Sequence, residues 1–271
     1  AEVSARSGMD VKVVEVEAGL APGRARVESS LSRAVRAGKL SEEQARGAAD
    51  RISFGTDLAE LADRQLVVEA VAEAEAAKVD VFSALDEVVK DADAILASNT
   101  SSIPIMKLAM ATRRPESVVG LHFFNPVPVL PLVELVTSLL TSEDTVARAE
   151  SFAAGALHKR VIRAKDRAGF IVNALLVPYL LSAVRMLESG FATAEDIDAG
   201  MVEGCAHPMG PLSLIDLIGL DTTLAVAESL YAEFKEPLYA PPPMLSRMCE
   251  AGLLGRKSGR GFYGYRRPPG R

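Results

Sequence analysis

Gln65-Leu-Val-Val-Glu-Ala-Val71, a helical stretch over residues 73–89, and then Ala94-Ile-Leu-Ala97 decide the fold of the amino-terminal half. A β-branched apolar run, a helix and a second apolar run make a strand–helix–strand unit. Strands that are apolar along their whole length need cover on both faces, which is the habit of parallel sheets. Working outward, Val11-Lys-Val-Val-Glu-Val16 reads as an earlier strand. Val118-Val-Gly-Leu-His122, Leu132-Val-Glu-Leu-Val136 and Arg160-Val-Ile-Arg163 read as later ones. Residues 22–37 bring Val27, Leu31, Ala34 and Val35 to helical spacing, and Ser41, with Glu43 and Gln44 close behind, signals a helix start. The expectation is an α/β doubly wound, mostly parallel sheet over residues 1–165.

From residue 166 the pattern changes. Helical stretches are expected over 168–188, 194–204 and 211–234, with Thr193 as an N-cap. A proline-rich break at 237–243 leads to a short helix and a glycine-rich tail. Residues 166–271 are therefore expected to form an all-α carboxy-terminal domain.

Composition narrows the function. The 271 residues are 49% hydrophobic and 24% charged, with a net charge of −6, and no basic cluster points to nucleic acid. Residues 170–186 are the most apolar stretch but contain Asn173, Pro178 and Arg185, which argues for a buried helix and against a membrane span. The two cysteines, Cys205 and Cys249, have neither metal-ligand spacing nor the look of a disulfide framework, so no metal is expected and a reducing cytoplasm is.

In a doubly wound nucleotide-binding sheet, a glycine-rich turn after the first strand seats a pyrophosphate on a helix N-terminus. This chain opens instead on Ala1-Glu-Val-Ser-Ala-Arg-Ser-Gly8, which reads as the last turns of that helix, ended by Gly8. The dinucleotide-binding domain is thus expected to be incomplete at its amino terminus. Glu15, near the end of the next strand, stands where an acid would accept hydrogen bonds from an adenosine ribose; the other reading is a solvated strand-end charge. An acid there disfavours a 2′-phosphate, which favours NAD and leaves NADP open.

Further along, Ala97-Ser-Asn-Thr-Ser-Ser102, Gly120-Leu-His-Phe-Phe-Asn-Pro-Val-Pro128 and Leu132-Val-Glu-Leu135 closely resemble the 3-hydroxyacyl-CoA dehydrogenase family. So do Gly169-Phe-Ile-Val-Asn173, His207-Pro-Met-Gly-Pro211, Gly219-Leu-Asp221 and Gly255-Arg-Lys-Ser-Gly-Arg-Gly-Phe-Tyr263. The resemblance spans residues 1 to about 265, in the family's order, and is nearest to the compact bacterial 3-hydroxybutyryl-CoA dehydrogenases. It implies a Rossmann domain followed by a helical domain that commonly forms a homodimer, with an acyl-CoA substrate in the cleft between domains.

The resemblance also implies roles. His122 matches the catalytic histidine and Glu134 its carboxylate partner; a neutral imidazole suits removal of an alcohol proton, because its pKa lies near working pH. Glu134 would be costly unpaired in so apolar a strand. Ser101 matches the serine that bonds the substrate oxygen, with a plain helix cap as the other reading. Asn173 matches the asparagine that helps hold the substrate carbonyl and the histidine, and Asn125 a position near the nicotinamide. Glu73 and Lys78 match positions near the cofactor's ribose and phosphates, although Ala74 stands where the family often has asparagine. Lys257 matches a lysine reaching the cofactor from the second domain. For the CoA moiety, Ser30 matches a contact, and the matching cation is either Lys39 or Arg36. His158 reads as part of a surface turn and His207 as part of an interhelical loop.

The activity expected is reversible hydride transfer between a short 3-hydroxyacyl-CoA and its 3-oxo form, with domain closure excluding water. The rival readings are a non-catalytic or truncated binding relative of the same fold, and an enzyme for another 3-hydroxy acid. The filled catalytic positions argue against the first and the His–Glu pair against the second.

Overall fold

The computed structural model describes residues 1–265. The chain divides into two compact units, Ala1–Asp166 and Arg167–Arg271.

The first unit begins with α1 (Glu2–Arg6), followed by Gly8 at φ +88°. Strand β1 (Val11–Val14) leads to α2 (Glu17–Arg36), α3 (Glu42–Asp50) and β2 (Ile52–Gly55). Helix α3 opens with a reciprocal capping box, in which the Ser41 side chain accepts from the Gln44 amide and the Gln44 side chain accepts from the Ser41 amide. Strand β2 was not anticipated; its four residues carry too little pattern to stand out. It pairs in parallel with β1 as a two-stranded sheet. Beneath that sheet lies a small core of Ala5, Leu31, Ala48 and Ile52.

The larger sheet takes β3 (Leu66–Glu69), β4 (Ile95–Ser98), β5 (Val118–Phe123), β6 (Leu132–Thr137) and β7 (Arg160–Lys165), in that spatial order. Helices α4 (Glu75–Val88), α5 (Ile105–Ala109) and α6 (Glu143–Glu150) connect them, α6 running on into a wider π turn at Ser151–Ala156. All neighbours are parallel except β5 and β6. The link between those two, residues 124–131, is shorter than the roughly dozen residues that a parallel crossover needs, so the chain can only turn back.

Alternation along each strand sorts the side chains. Ile95, Ala97, Val119, Leu121, Val133 and Leu135 meet Val146, Ala149 and Ala153 on one face. Ser98, Gly120, His122, Glu134 and Val136 therefore point to the other face. Gly120 is required there: a Cβ would come within 2.9 Å of Ile105 and 2.8 Å of Val136, so α5 reaches the sheet only over a glycine.

The second unit holds α7 (Val172–Glu188), α8 (Ala194–Cys205), α9 (Pro211–Ile218), α10 (Leu220–Phe234) and α11 (Pro243–Glu250). Thr193 caps α8 through the Asp196 amide as expected. The stretch 211–234 is two helices, because Gly219 at φ +106° breaks it. Val177, Leu180 and Leu181 of α7 are buried against Leu212, Ile215 and Leu230, so that apolar helix spends itself on a protein core. Among the described residues, no helix is long and apolar enough to cross a membrane.

The motifs of this unit meet at buried carboxylates. Asp198 accepts from the Leu212 and Ser213 amides at 2.8 and 2.9 Å, capping the helix that begins at Gly210-Pro211. Asp216 accepts from the Phe262 and Tyr263 amides and the Tyr265 hydroxyl, each at 2.9 Å, and so fixes the glycine-rich tail. Burial, with the Asp216 carboxylate alongside, pushes the Tyr265 hydroxyl up from its ordinary pKa. Replacing Asp216 with Ala orphans these donors and is expected to cost about 2–4 kcal/mol in urea denaturation. A loss below about 0.5 kcal/mol, the level of an indifferent surface change, would contradict this role.

Candidate active site

Strands β4 and β5 run parallel, so their carboxyl ends lie side by side, and the polar groups gather there. In open α/β sheets this end is where ligands bind. His122 and Glu134 are direct cross-strand partners on antiparallel β5 and β6. Opposed residues of such a pair share a face with their Cβ atoms about 5 Å apart, close enough for imidazole and carboxylate to bond. His122 Nδ1 lies 2.7 Å from Glu134 Oε2, and the Glu134 side chain is 0% exposed. The Phe124 ring stands tilted against the imidazole at 4.6 Å.

An ionised carboxylate can only accept, which puts the ring hydrogen on Nδ1, and in the neutral imidazole Nε2 then keeps its lone pair. Ser101 Oγ is 3.0 Å from that Nε2. The helix-cap reading of Ser101 fails, because α5 starts four residues later and its first amides, Ile105 and Met106, donate to Asp166 at 2.7 Å. The other histidines do not compete. His158 is exposed, at φ 53°, and His207 Nδ1 meets the Tyr179 hydroxyl at 3.2 Å.

The Ser101 loop is held by Glu73. Its Oε1 accepts from Thr100 Oγ1 at 2.5 Å, from the Ser101 and Ser102 amides at 2.8 and 3.1 Å, and from Ser102 Oγ at 3.2 Å. Partial burial works against the charge, but these donors and Lys78 outweigh it and hold the carboxyl below its ordinary pKa. Lys78 is itself sealed, 1% exposed, with its ammonium on Glu69 at 2.6 Å and on the Val71 carbonyl at 3.2 Å. Sequence reasoning passed over Glu69, Ser98 and Asn99, whose Oδ1 takes the Phe123 amide at 2.8 Å. Glu69 was findable, since an acid inside an apolar run, here Leu66-Val-Val-Glu-Ala-Val71, is the same signal that marked Glu134.

The remaining expected residues scatter. Glu15 is exposed just beyond β1, and its Oε1 accepts from the Val16 amide at 2.8 Å. Asn125 is exposed and precedes a cis bond to Pro126 in the β5–β6 link. Lys159 steadies that link through the carbonyls of Val127 and Leu130, at 2.5 and 2.8 Å. Ser30 is half-buried on α2, with Arg36 exposed in its last turn and Lys39 exposed beyond it. Asn173 and Lys257 belong to the helical unit. Asn173 lies in the first turn of α7, and the Lys257 ammonium pairs with Asp221 at 2.5 Å beside Gly219.

Two family models match the chain: the NAD binding domain of 3-hydroxyacyl-CoA dehydrogenase over residues 1–167, and the C-terminal domain of 3-hydroxyacyl-CoA dehydrogenase over residues 169–265. A 3-hydroxybutyryl-CoA dehydrogenase of Mycobacterium tuberculosis is 61% identical over 266 residues, which cover 98% of this chain and 93% of that one. The crystal structure of M. tuberculosis FadB2 superposes with a TM-score of 0.96 at 61% identity, covering 98% and 93% of the two chains. That of (S)-3-hydroxybutyryl-CoA dehydrogenase from Ralstonia eutropha gives 0.91 at 44% identity, covering 98% and 94%.

The Glu73 anchorage makes a prediction about acid. Because the folded pKa is depressed, the anchorage is complete above the ordinary glutamate value of about 4.3. It is lost as pH falls through the lower folded value. Hydrogen exchange at the Ser101 and Ser102 amides should be slow at neutral pH and fast there in Glu73→Ala. Equal protection in both proteins would contradict the assignment.

Proposed function

Since the chain belongs to the 3-hydroxyacyl-CoA dehydrogenase family, we propose that it interconverts a short 3-hydroxyacyl-CoA, of the 3-hydroxybutyryl class, and the corresponding 3-oxoacyl-CoA. The observation that carries this reading is the continuous chain Ser101–His122–Glu134, a hydroxyl, an imidazole and a buried carboxylate in bonding order.

Glu134 fixes the tautomer of His122, holds its ring and stabilises the imidazolium that forms. In oxidation, Nε2 takes the proton of the substrate hydroxyl; in reduction it returns a proton to the carbonyl oxygen. Ser101 Oγ, already beside Nε2, positions that oxygen and donates to the charge developing on it. Sealing the pair away from water keeps the proton exchange between His122 and substrate and strengthens every charge interaction around it.

The chain's own groups suit a dinucleotide. Polar side chains line the carboxyl ends of the parallel strands, and Glu15, exposed beyond β1, offers a carboxylate to a ribose diol where a 2′-phosphate would be repelled. When bound, NAD supplies or accepts the hydride. Glu15, beyond β1 of the two-stranded sheet, would hold its ribose, with Glu73, Ser101 and Asn125 at the carboxyl end of the five-stranded sheet and Lys78 acting through Glu73. For Asn173 at the substrate carbonyl, Lys257 at the cofactor, and Ser30 with Arg36 or Lys39 at the CoA moiety, support comes from the resemblance of their motifs.

We also assign the chain to a homodimer in the cytoplasm. Leu175 of α7, Leu217 and Ile218 of α9, and Phe191 leave exposed apolar surface on the helical unit, which favours a self-association face. Both cysteines are free thiols, which fits a reducing compartment. Sedimentation equilibrium should give twice the chain mass, falling towards a single chain in Leu175→Glu/Phe191→Glu. A monomeric parent protein would contradict the dimer.

Turnover is tested by oxidation of NADH dependent on acetoacetyl-CoA. His122→Ala and Glu134→Gln should each lower kcat by about 10²–10⁴-fold, the usual worth of a positioned acid–base group, while circular dichroism stays native. NADPH should serve less well than NADH. A folded His122→Ala variant with near-normal turnover would overturn the mechanism.

A further inference from the structure

A second buried charge cluster lies at the carboxyl end of β3, and the chemistry above makes no direct use of it. The Glu69 and Lys78 side chains are 0% and 1% exposed. Glu69 Oε1 accepts from Lys78 Nζ and from the Val71 amide, both at 2.6 Å, and its Oε2 accepts from Ser98 Oγ at 2.6 Å. Ser98 is the strand partner of Glu69, so the two side chains share a face of the sheet. Ser98 Oγ accepts in turn from the Thr100 amide at 3.1 Å. From the other side, Lys78 Nζ stands 3.4 Å from Glu73 Oε2, and Glu73 Oε1 collects the donors of the Ser101 loop. That loop is thus gripped twice, at its root through Ser98 and along its length through Glu73, and both grips trace back to Glu69.

Such a cluster adds little net stability, because taking charges out of water offsets their attraction; its effect is to fix geometry. One lysine lies between two carboxylates, and its shorter bond is to Glu69. With that bond made, Glu73 is left to hold the loop amides. Without it, an uncompensated buried ammonium would draw Glu73 inward and pull it off Ser101.

We propose that Glu69 is a positioning residue for hydride and proton transfer, acting through Lys78, Ser98 and Glu73 to hold the Ser101 hydroxyl 3.0 Å from His122 Nε2. It touches neither reacting group. The inference rests on the reading that Ser101 and His122 handle the substrate oxygen.

A double-mutant cycle tests it, with Glu69→Gln, Ser101→Ala and the double variant assayed for acetoacetyl-CoA reduction by NADH and for thermal unfolding. Glu69→Gln should lower kcat about ten- to a hundredfold, the scale of a misplacement of about 1 Å, with smaller changes in either KM. In the Ser101→Ala background the same substitution should lose most of its effect on kcat while its effect on the unfolding temperature remains. Equal fold losses in both backgrounds would mean independent action and would overturn the proposal, as would unchanged kcat in folded Glu69→Gln. If Ser101→Ala itself turns over normally, the role given to Ser101 falls, and this inference with it. Should Glu69→Gln not fold, Glu69→Met/Lys78→Met, which removes both buried charges, takes its place in the cycle.

Discussion

Glu134 occupies a place where a carboxylate is tolerable only with a partner. It stands in a strand flanked by Val133 and Leu135, all three at 0% exposure. An unpaired charge at such a site costs several kcal/mol or neutralises itself. Its bond to His122 removes that cost and, by the same contact, makes the imidazole a directed base. Much of the architecture serves this one pairing. The tight β5–β6 link reverses the chain so that the two residues oppose each other. The glycine at 120 lets α5 close over the sheet face on which they lie, and the Glu73-bound loop brings Ser101 to the remaining nitrogen.

Much of this was legible in the sequence because the signals were long or chemically costly. The apolar runs at 65–71, 94–97, 118–122, 132–136 and 160–163 all became strands, displaced by a residue or two at their ends. Glu134 declared its partner by being an acid among valines and leucines. The reversal at β6 went unread, because strand pattern says nothing of direction and only the shortness of residues 124–131 carries the signal. Strand β2 escaped because four residues with a single buried side chain have no period to read. The break at Gly219 escaped because a lone glycine within an otherwise helical run is usually tolerated.

The site was less legible in its supports than in its reacting groups. Motif resemblance pointed to Ser101, His122 and Glu134, which the structure brings together. Glu73 and Lys78 were read as approaching a cofactor, and what the structure adds is that they first hold the Ser101 loop from behind. That role depends on Glu69, which lies so far in sequence from Ser98 and Thr100 that only the parallel pairing of β3 and β4 brings it to them. In the helical unit, Asp198 and Asp216 give the glycine- and proline-rich motifs a structural reason, since each caps backbone that a glycine lets come close.

The central claim is that Glu134 holds His122 with its hydrogen on Nδ1 and its lone pair on Nε2. Histidine-selective nitrogen NMR at neutral pH reads this directly. The account predicts that His122 shows a protonated Nδ1, with a strongly deshielded bridging proton, and an unprotonated Nε2. A ring with its hydrogen on Nε2, or one exchanging freely between the two tautomers, would contradict it.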